Sequence, residues 1–194
     1  MIEPVDADDH ATPLTPGERD ELLPTHVTSR NELSQLEQQN IAAADLWAFS
    51  RKHFIFRERF LKGLHRRMFG RVWRWAGKFR TTERNLGVKP YLIETELRTV
   101  IEDARYWVAN NTYSPDELAL RFHHRLVSVH PFPNGNGRWS RLAADALIVQ
   151  LGGARFTWGG ADLQAANEAR DKYIATLKTA DNLDLEPLIK FARS

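Results

Sequence analysis

The run His130-Pro-Phe-Pro-Asn-Gly-Asn-Gly-Arg138, followed by Trp139-Ser140-Arg141, gathers one imidazole, two glycines and two guanidiniums in a short stretch. A phosphoryl-handling site needs those parts: a base, a cradle of backbone N–H groups, and cations for the leaving phosphates. An imidazole with its ordinary pKa of about 6.5 can accept a proton near neutral pH, which makes His130 the candidate base. Gly135 and Gly137 allow backbone conformations and close approaches that a Cβ forbids, so successive N–H groups can turn inward as an anion nest. From Arg138 to Gln150 the residues are good helix formers without a breaker, which predicts a helix starting at or near Gly137. Its N-terminal N–H groups and positive dipole end would face the same loop. Arg138 and Arg141 are three apart, so both emerge on one face of the first turn. There they oppose the dipole, and a bound anion would relieve that cost. Phe132 reads as an anchor burying its ring to fix the loop, and Pro131 and Pro133 stiffen the entry by fixing φ.

The rest of the chain must hold this loop in place. Residues 1–25, rich in Asp, Pro, Thr and Ala, read as an irregular arm, and 26–194 as a single domain. Thr28 or Ser29 caps a long predicted helix, at about 30–56, with apolar residues from Leu33 to Phe54 at helical spacing. Further helices are predicted over 58–69, 94–108, 115–129, 163–180 and 186–193, the third behind the N-terminal signal Ser114-Pro-Asp-Glu117. Between them, 77–91 holds Gly87 and Pro90 among β-favouring Thr and Val, and reads as a hairpin or loop. The expected fold is all-α with a small hairpin.

Composition narrows the class. A chain of 194 residues, 42% hydrophobic, can bury a core of its own. With no cysteine, disulfides and thiolate metal sites are excluded, in keeping with a reducing cytoplasm, the expected location. No apolar run approaches the ~20 residues of a membrane span, and the acidic, proline-containing start does not read as a signal peptide. Net charge is only +2, with Lys and Arg concentrated between Arg57 and Arg84. That concentration reads first as a solvated helix face, with an acidic partner protein or nucleic acid as the alternatives. His123 and His124 lack a Cys or carboxylate to complete a metal set and read as packing or surface residues. No P-loop is present, so a conventional ATPase or kinase reading has no support.

The segment 130–141 resembles the signature of the Fic (filamentation induced by cAMP) family, H-x-F-x-[D/E]-G-N-G-R-x-x-R. Every position matches except Asn134, which stands where most active members carry Asp or Glu. The tail from Arg170 through Tyr173 to Phe191 resembles the closing helices of Fic domains, and Thr81–Val88 sits where the family places its β-hairpin flap. A narrower resemblance is to the small bacterial Fic proteins called mobile mystery protein B. The family implies a helical bundle with a small β-hairpin flap.

The resemblance also implies a reaction: transfer of AMP from ATP to a hydroxyl side chain of a target protein. His130 would take the proton from the attacking Ser, Thr or Tyr hydroxyl. Gly135, Asn136 and Gly137 would hold the phosphates, with Arg138 and Arg141 on the leaving pyrophosphate. The flap, about Thr81–Ile93 and including Thr82, Asn85, Gly87 and Val88, would register the target strand to strand. Tyr173 would lie near the adenine or simply pack a helix. In the family the acidic residue coordinates Mg2+; Asn134 offers a neutral oxygen and weakens that hold without removing it, because ATP carries most of the ligating charge. An inhibitory [S/T]-x-x-x-E-[G/N] segment, whose Glu pairs with the second motif arginine, has its counterpart in Leu33–Gln38, with Glu37 expected on Arg141. Its alternative is an ordinary exposed glutamate. Three functions follow: an adenylyltransferase held in check by its own helix and able to modify itself, a related kinase-like or phospho-group transferase, or a catalytically silent nucleotide-binding regulatory module. A membrane has no part in any of them, and nucleic acid is a secondary alternative.

Overall fold

Eight α-helices carry the fold among the residues that the computed structural model describes, namely 15–25, 27, 29–160, 163 and 168–194. They are α1 (Pro16–Arg19), α2 (Arg30–Phe49), α3 (Glu58–Phe69), α4 (Ile93–Asn110), α5 (Pro115–Val129), α6 (Asn136–Gln150), α7 (Glu168–Asp181) and α8 (Glu186–Arg193). None is long and apolar enough to cross a membrane. The helices expected over 58–69, 115–129 and 186–193 are α3, α5 and α8. Local chemistry fixes their starts: Ser114 Oγ accepts from the Glu117 N–H, and Pro115 and Pro187 occupy first-turn positions where a missing N–H costs nothing.

Helix α2 opens on a capping box, in which Ser29 Oγ accepts from the Glu32 N–H and the Glu32 carboxylate accepts from the Ser29 N–H. Thr28, the other candidate cap, lies outside the described residues. The helix ends at Phe49, short of the expected Phe56. The cause is local. The Trp47 carbonyl accepts from the Ser50 N–H and Ser50 Oγ, and His53 Nε2 sits 3.1 Å from it, so the turn closes there. Helix α7 is described over Glu168–Asp181; the predicted start at about Leu163 falls next to residues 164–167, which lie outside the described residues.

The core forms around α5 and α6. Leu120, Phe122 and Leu126 of α5 and Trp139, Ala143, Ala144 and Ile148 of α6 are all fully or almost fully buried. The loop that joins them, residues 130–135, is short and runs between two buried helix ends. Asp145 of α6, itself buried, accepts from the Trp158 indole and the Phe156 N–H, and burial pushes its carboxyl up. Arg155 links it to α2, 3.4 Å from Asp145 and bidentate to Asp45 at 2.6 and 3.1 Å.

Two expectations change. The arm 1–25, expected to be irregular, folds against the domain over 15–22, while 1–14 lie outside the described residues. Thr15 and Glu18 form a capping box for α1; Leu23 N–H donates to the Val72 carbonyl and Arg74 N–H to that of Glu21, around an isolated bridge between Leu22 and Trp73. The flap is not a β-hairpin. Residues 81–89 make bends and turns, Pro90–Leu92 is a 3-10 turn, and Ile93 already begins α4. No strand occurs among the described residues. The backbone groups that would make a ladder are spoken for: Arg80 donates to the carbonyls of Thr82 and Val88, and the Val88 N–H points to the Val129 carbonyl at 3.4 Å. The segment wraps a cation instead of pairing with itself.

Candidate active site

His130 caps the C-terminus of α5 in the left-handed region, φ 50° and ψ 59°, its N–H donating to the Leu126 carbonyl at 3.3 Å. For a residue with a Cβ that conformation costs about 1 kcal/mol or more. Tertiary bonds hold it there. Arg80 Nε donates to the His130 carbonyl at 2.7 Å, and the Arg80 N–H to the Pro131 carbonyl at 2.9 Å. The imidazole is 8% exposed. Burial, reinforced by the guanidiniums of Arg80 and Arg84, pushes it down to about 4, against a hydrogen bond to the Val127 carbonyl that works the other way. At neutral pH His130 is therefore uncharged. With one ring N–H given to Val127, the other nitrogen is an acceptor.

The loop then turns through Gly135, φ 80°, into α6, which starts at Asn136. A Cβ on Gly135 would come within 2.6 Å of the Phe69 ring. The first N–H groups of α6 have no carbonyl of their own helix to reach, so they and the dipole end have the geometry to receive an anion. Asn136 does something the sequence did not suggest. Its buried amide is spent on Phe132, Oδ1 accepting from the Phe132 N–H at 3.0 Å and Nδ2 donating to its carbonyl at 2.9 Å. What Asn136 and Gly137 present to a ligand is backbone.

Phe132 is fully buried, stacked on His65 at 3.7 Å between ring centroids and edge-on to Trp139 at 4.9 Å. Removing a ring of that burial from water contributes roughly 2–3 kcal/mol. His65 is a residue that sequence reasoning missed. Fully buried, it accepts from the Gly77 N–H at Nδ1 (3.0 Å), which leaves Nε2 to donate to the Asn134 carbonyl (3.0 Å). Burial, with Arg138 nearby, holds it down to about 3 and hence neutral. No local pattern around Leu64-His65-Arg66 announces a partner so distant in sequence.

The two motif arginines part company. Arg138 Nη1 reaches Glu37 Oε2 at 2.6 Å, its guanidinium lies over Phe69, and Nη2 is 3.4 Å from Asn134 Oδ1. Glu37 also accepts from the Trp73 indole at 2.6 Å. This corrects the expected pairing of Glu37 with Arg141. Arg141 instead lies over Tyr173, 5.2 Å from the ring centroid, and folds back to within 3.8 Å of where a Gly137 Cβ would be. The geometry follows from helix pitch: residues three apart diverge by about 60° around the axis, enough to send one to α2 and α3 and the other to α7. Tyr173 is 6% exposed, its hydroxyl 3.0 Å from His123 Nε2, with no open face for a base. The ring is packed between helices, with Arg141 resting on it.

Of the flap residues, Thr81, Asn85 and Gly87 are exposed, and Thr82 and Val88 half-buried. Thr82 Oγ1 donates to Glu18 Oε1 at 3.2 Å, and Arg84 ion-pairs with the same carboxylate, so α1 straps the flap's first half. The basic concentration divides: Arg80 and Arg84 face His130, while five others lie away from the loop. Arg59, Lys62, Arg66, Arg67 and Arg71 line an open groove of about 1050 Å³ beside α2 that includes none of the residues 130–141. Among the described residues no cluster of His, Cys, Asp and Glu suits a metal ion.

Residues 55–148 match the Fic/DOC family, covering the loop, His65, Arg80 and both motif arginines. That segment is a Fic/DOC family domain. The protein adenylyltransferase Fic of Drosophila grimshawi is 30% identical over 132 residues, 66% of this chain and 26% of that protein. The chain thus spans about a quarter of the length of the curated relatives it matches. Among solved structures, Fic-1 from C. elegans superposes with a TM-score of 0.67 at 24% identity, covering 91% of this chain and 51% of that one. BepC, a VirB-translocated effector protein of Bartonella tribocorum with bound AMPPNP, gives 0.66 at 17% identity, covering 92% and 97%. These structures establish the Fic fold, all-helical as the sequence reading expected.

Proposed function

We propose that this Fic domain is a protein adenylyltransferase, moving AMP from ATP to a hydroxyl side chain of a target protein. The observation that carries this reading is a neutral, buried His130 on the same short loop as the N-terminus of α6, with Arg138 and Arg141 on its first turn. The adenylyltransferase relatives named above support it. In the reaction the target O–H gives its proton to His130 as its oxygen bonds the α-phosphorus. The bond from that phosphorus to the bridging oxygen of the β-phosphate breaks, and pyrophosphate leaves. Backbone N–H groups at Gly135, Asn136 and Gly137 hold the phosphates, and the two arginines take the charge of the leaving group. The exposed flap residues Thr81, Asn85 and Gly87 are the side toward the target; the Ser, Thr or Tyr hydroxyl comes from a partner protein or from a second copy in self-modification.

Mg2+ would arrive on ATP. The chain's own donors suit it poorly, since Asn134 is neutral, its Oδ1 faces Arg138 and its carbonyl is taken by His65. No step is routed through the ion. Glu37 holds one of the two phosphate-binding arginines, which supports the reading of α2 as an inhibitory helix. A cytoplasmic setting is consistent with the lack of cysteine.

The second reading rests on Asn134. Loss of the acidic residue favours a kinase-like or other phospho-group transfer, or nucleotide binding without turnover. Incubating wild type, Glu37→Gly and His130→Ala with α-labelled and γ-labelled ATP and bacterial lysate separates them. His130-dependent label from the α position is the expected result. Label from the γ position means a kinase, and ATP binding without either label means a silent regulatory module.

A further inference from the structure

We propose that Arg80 is a positioning residue that couples the target-facing flap to the His130 backbone, so that the two move as one body. The proposal rests on the transferase reading for its functional meaning, though not for its geometry. Arg80 is 2% exposed, and its hydrogen-bond partners are backbone carbonyls. Nε donates to His130, Nη1 to Thr82 at 2.9 Å and Nη2 to Val88. One planar fork thus grips the two arms of the flap and the residue that carries the base. A guanidinium can do this because its donors diverge in a fixed plane.

Other features point the same way. The Arg80 N–H donates to the Pro131 carbonyl, and the Val88 N–H points to the Val129 carbonyl, so the flap touches the chain on both sides of His130. Gly87, at φ 88°, lies so close that an added Cβ would collide with His130 Cβ and come within 2.8 Å of Arg80 Nη2. His130 sits in a left-handed conformation that its own side chain disfavours, and its carbonyl is turned into this fork. A cation removed from water without a bonded carboxylate is costly unless its donors are satisfied. Here three strong acceptors offset that cost, and all three belong to the two segments that must be kept in register. A flap anchored only for stability has no need of the His130 carbonyl.

Arg80 and Arg84 are the cations that face the imidazole, with the Val127 carbonyl opposing them. This supplies a readout that a purely structural role would leave unmoved. The test compares wild type, Arg80→Lys and Arg80→Gln by NMR titration of the His130 ring, nucleotide affinity, and transfer of α-label to a target. Expected for Arg80→Gln is a raised His130 pKa, nucleotide affinity within about twofold, and turnover at least tenfold lower. Arg80→Lys keeps the charge but not the fork, so it leaves the pKa near that of wild type while turnover still falls. Folded variants with unchanged turnover, or a His130 titration unmoved in Arg80→Gln, overturn the proposal. Should both variants unfold, hydrogen exchange of the wild-type Arg80 Nε–H decides: strong protection supports the grip, and exchange as fast as a surface arginine overturns it. If wild type transfers no label, the transferase reading fails, while the titration and exchange results still judge the coupling.

Discussion

Glu37 Oε2 and Arg138 Nη1 stand 2.6 Å apart, joining the second helix to the first turn of the sixth, while the other Glu37 oxygen is held by the Trp73 indole. Both side chains are less than one-fifth exposed, so water screens the pair only in part. The carboxylate occupies a cation that ATP would need. On the inhibitory reading proposed above, Glu37 would act through the first motif arginine, while Arg141 lies over Tyr173.

Replacing Glu37 should therefore release activity. A hydrogen-bonded charge pair of this kind contributes about 1–2 kcal/mol, which corresponds to roughly tenfold in nucleotide-competent population. Glu37→Gly is expected to raise incorporation of α-label by that order, and Glu37→Gln, which can keep an acceptor for Trp73, by a similar factor with less loss of stability. Equal incorporation in wild type and both variants counts against an inhibitory role.

The pH profile of transfer should lack the usual histidine inflection. With His130 pushed down to about 4, its acceptor form predominates, by about tenfold, already at pH 5. Turnover by the enzyme is expected to stay level from pH 5.5 to 8 and to fall only as pH approaches 4. An inflection near 6.5 in single-turnover rates would mean that the imidazole is more exposed or less surrounded by charge than described.

Acid should unfold the protein earlier than carboxylates alone require. His65 and His123 are held down to about 3 and His130 to about 4, whereas the unfolded chain takes up those protons near 6.5. The unfolded state binds more protons between these values, so stability is lost as pH falls from 6.5 toward 4, at about 1.4 kcal/mol per pH unit for each histidine once it is charged in the unfolded chain. Asp145, raised by burial, works in the opposite sense at the lower end. Urea denaturation at pH 7, 6 and 5 checks this, and His65→Gln should lower the slope by about one histidine's share.

Gly135→Ala tests the loop itself. The left-handed backbone costs about 1–2 kcal/mol for alanine, and the new methyl meets the Phe69 ring. A lower melting temperature and at least tenfold weaker nucleotide binding are expected. A variant that binds nucleotide like wild type would show that the α6 N-terminus is not the phosphate cradle.

Much of this was legible in the primary structure because the cues were local. Ser114-Pro115 and Glu186-Pro187 start helices by chemistry contained within one turn, and Gly135 marks a bend that its neighbours also announce. Glu37 was identifiable as a candidate, but its partner was not, since the choice between Arg138 and Arg141 depends on how α2 crosses α6. Arg80 looked like one more member of a basic stretch, and its burial arises only when Val88 and His130 close around it. The flap misled for the same reason: Thr81 and Val88 favour strands, yet a guanidinium outcompeted the cross-strand ladder. His65 had no signal at all, because a histidine between Leu64 and Arg66 is unremarkable until Gly77 and Asn134 arrive on either side.

The bidentate grip of Arg155 on Asp45, backed by Asp145, fastens the far half of α2 to the body of the domain. Freeing Arg138 is thus a matter of undoing one end of a rod clamped at the other. On the proposed inhibitory reading, an activator would need to pry only at the half of α2 that carries Glu37, a small local lever, and on its departure the still-tethered helix would drop back into register without a diffusional search.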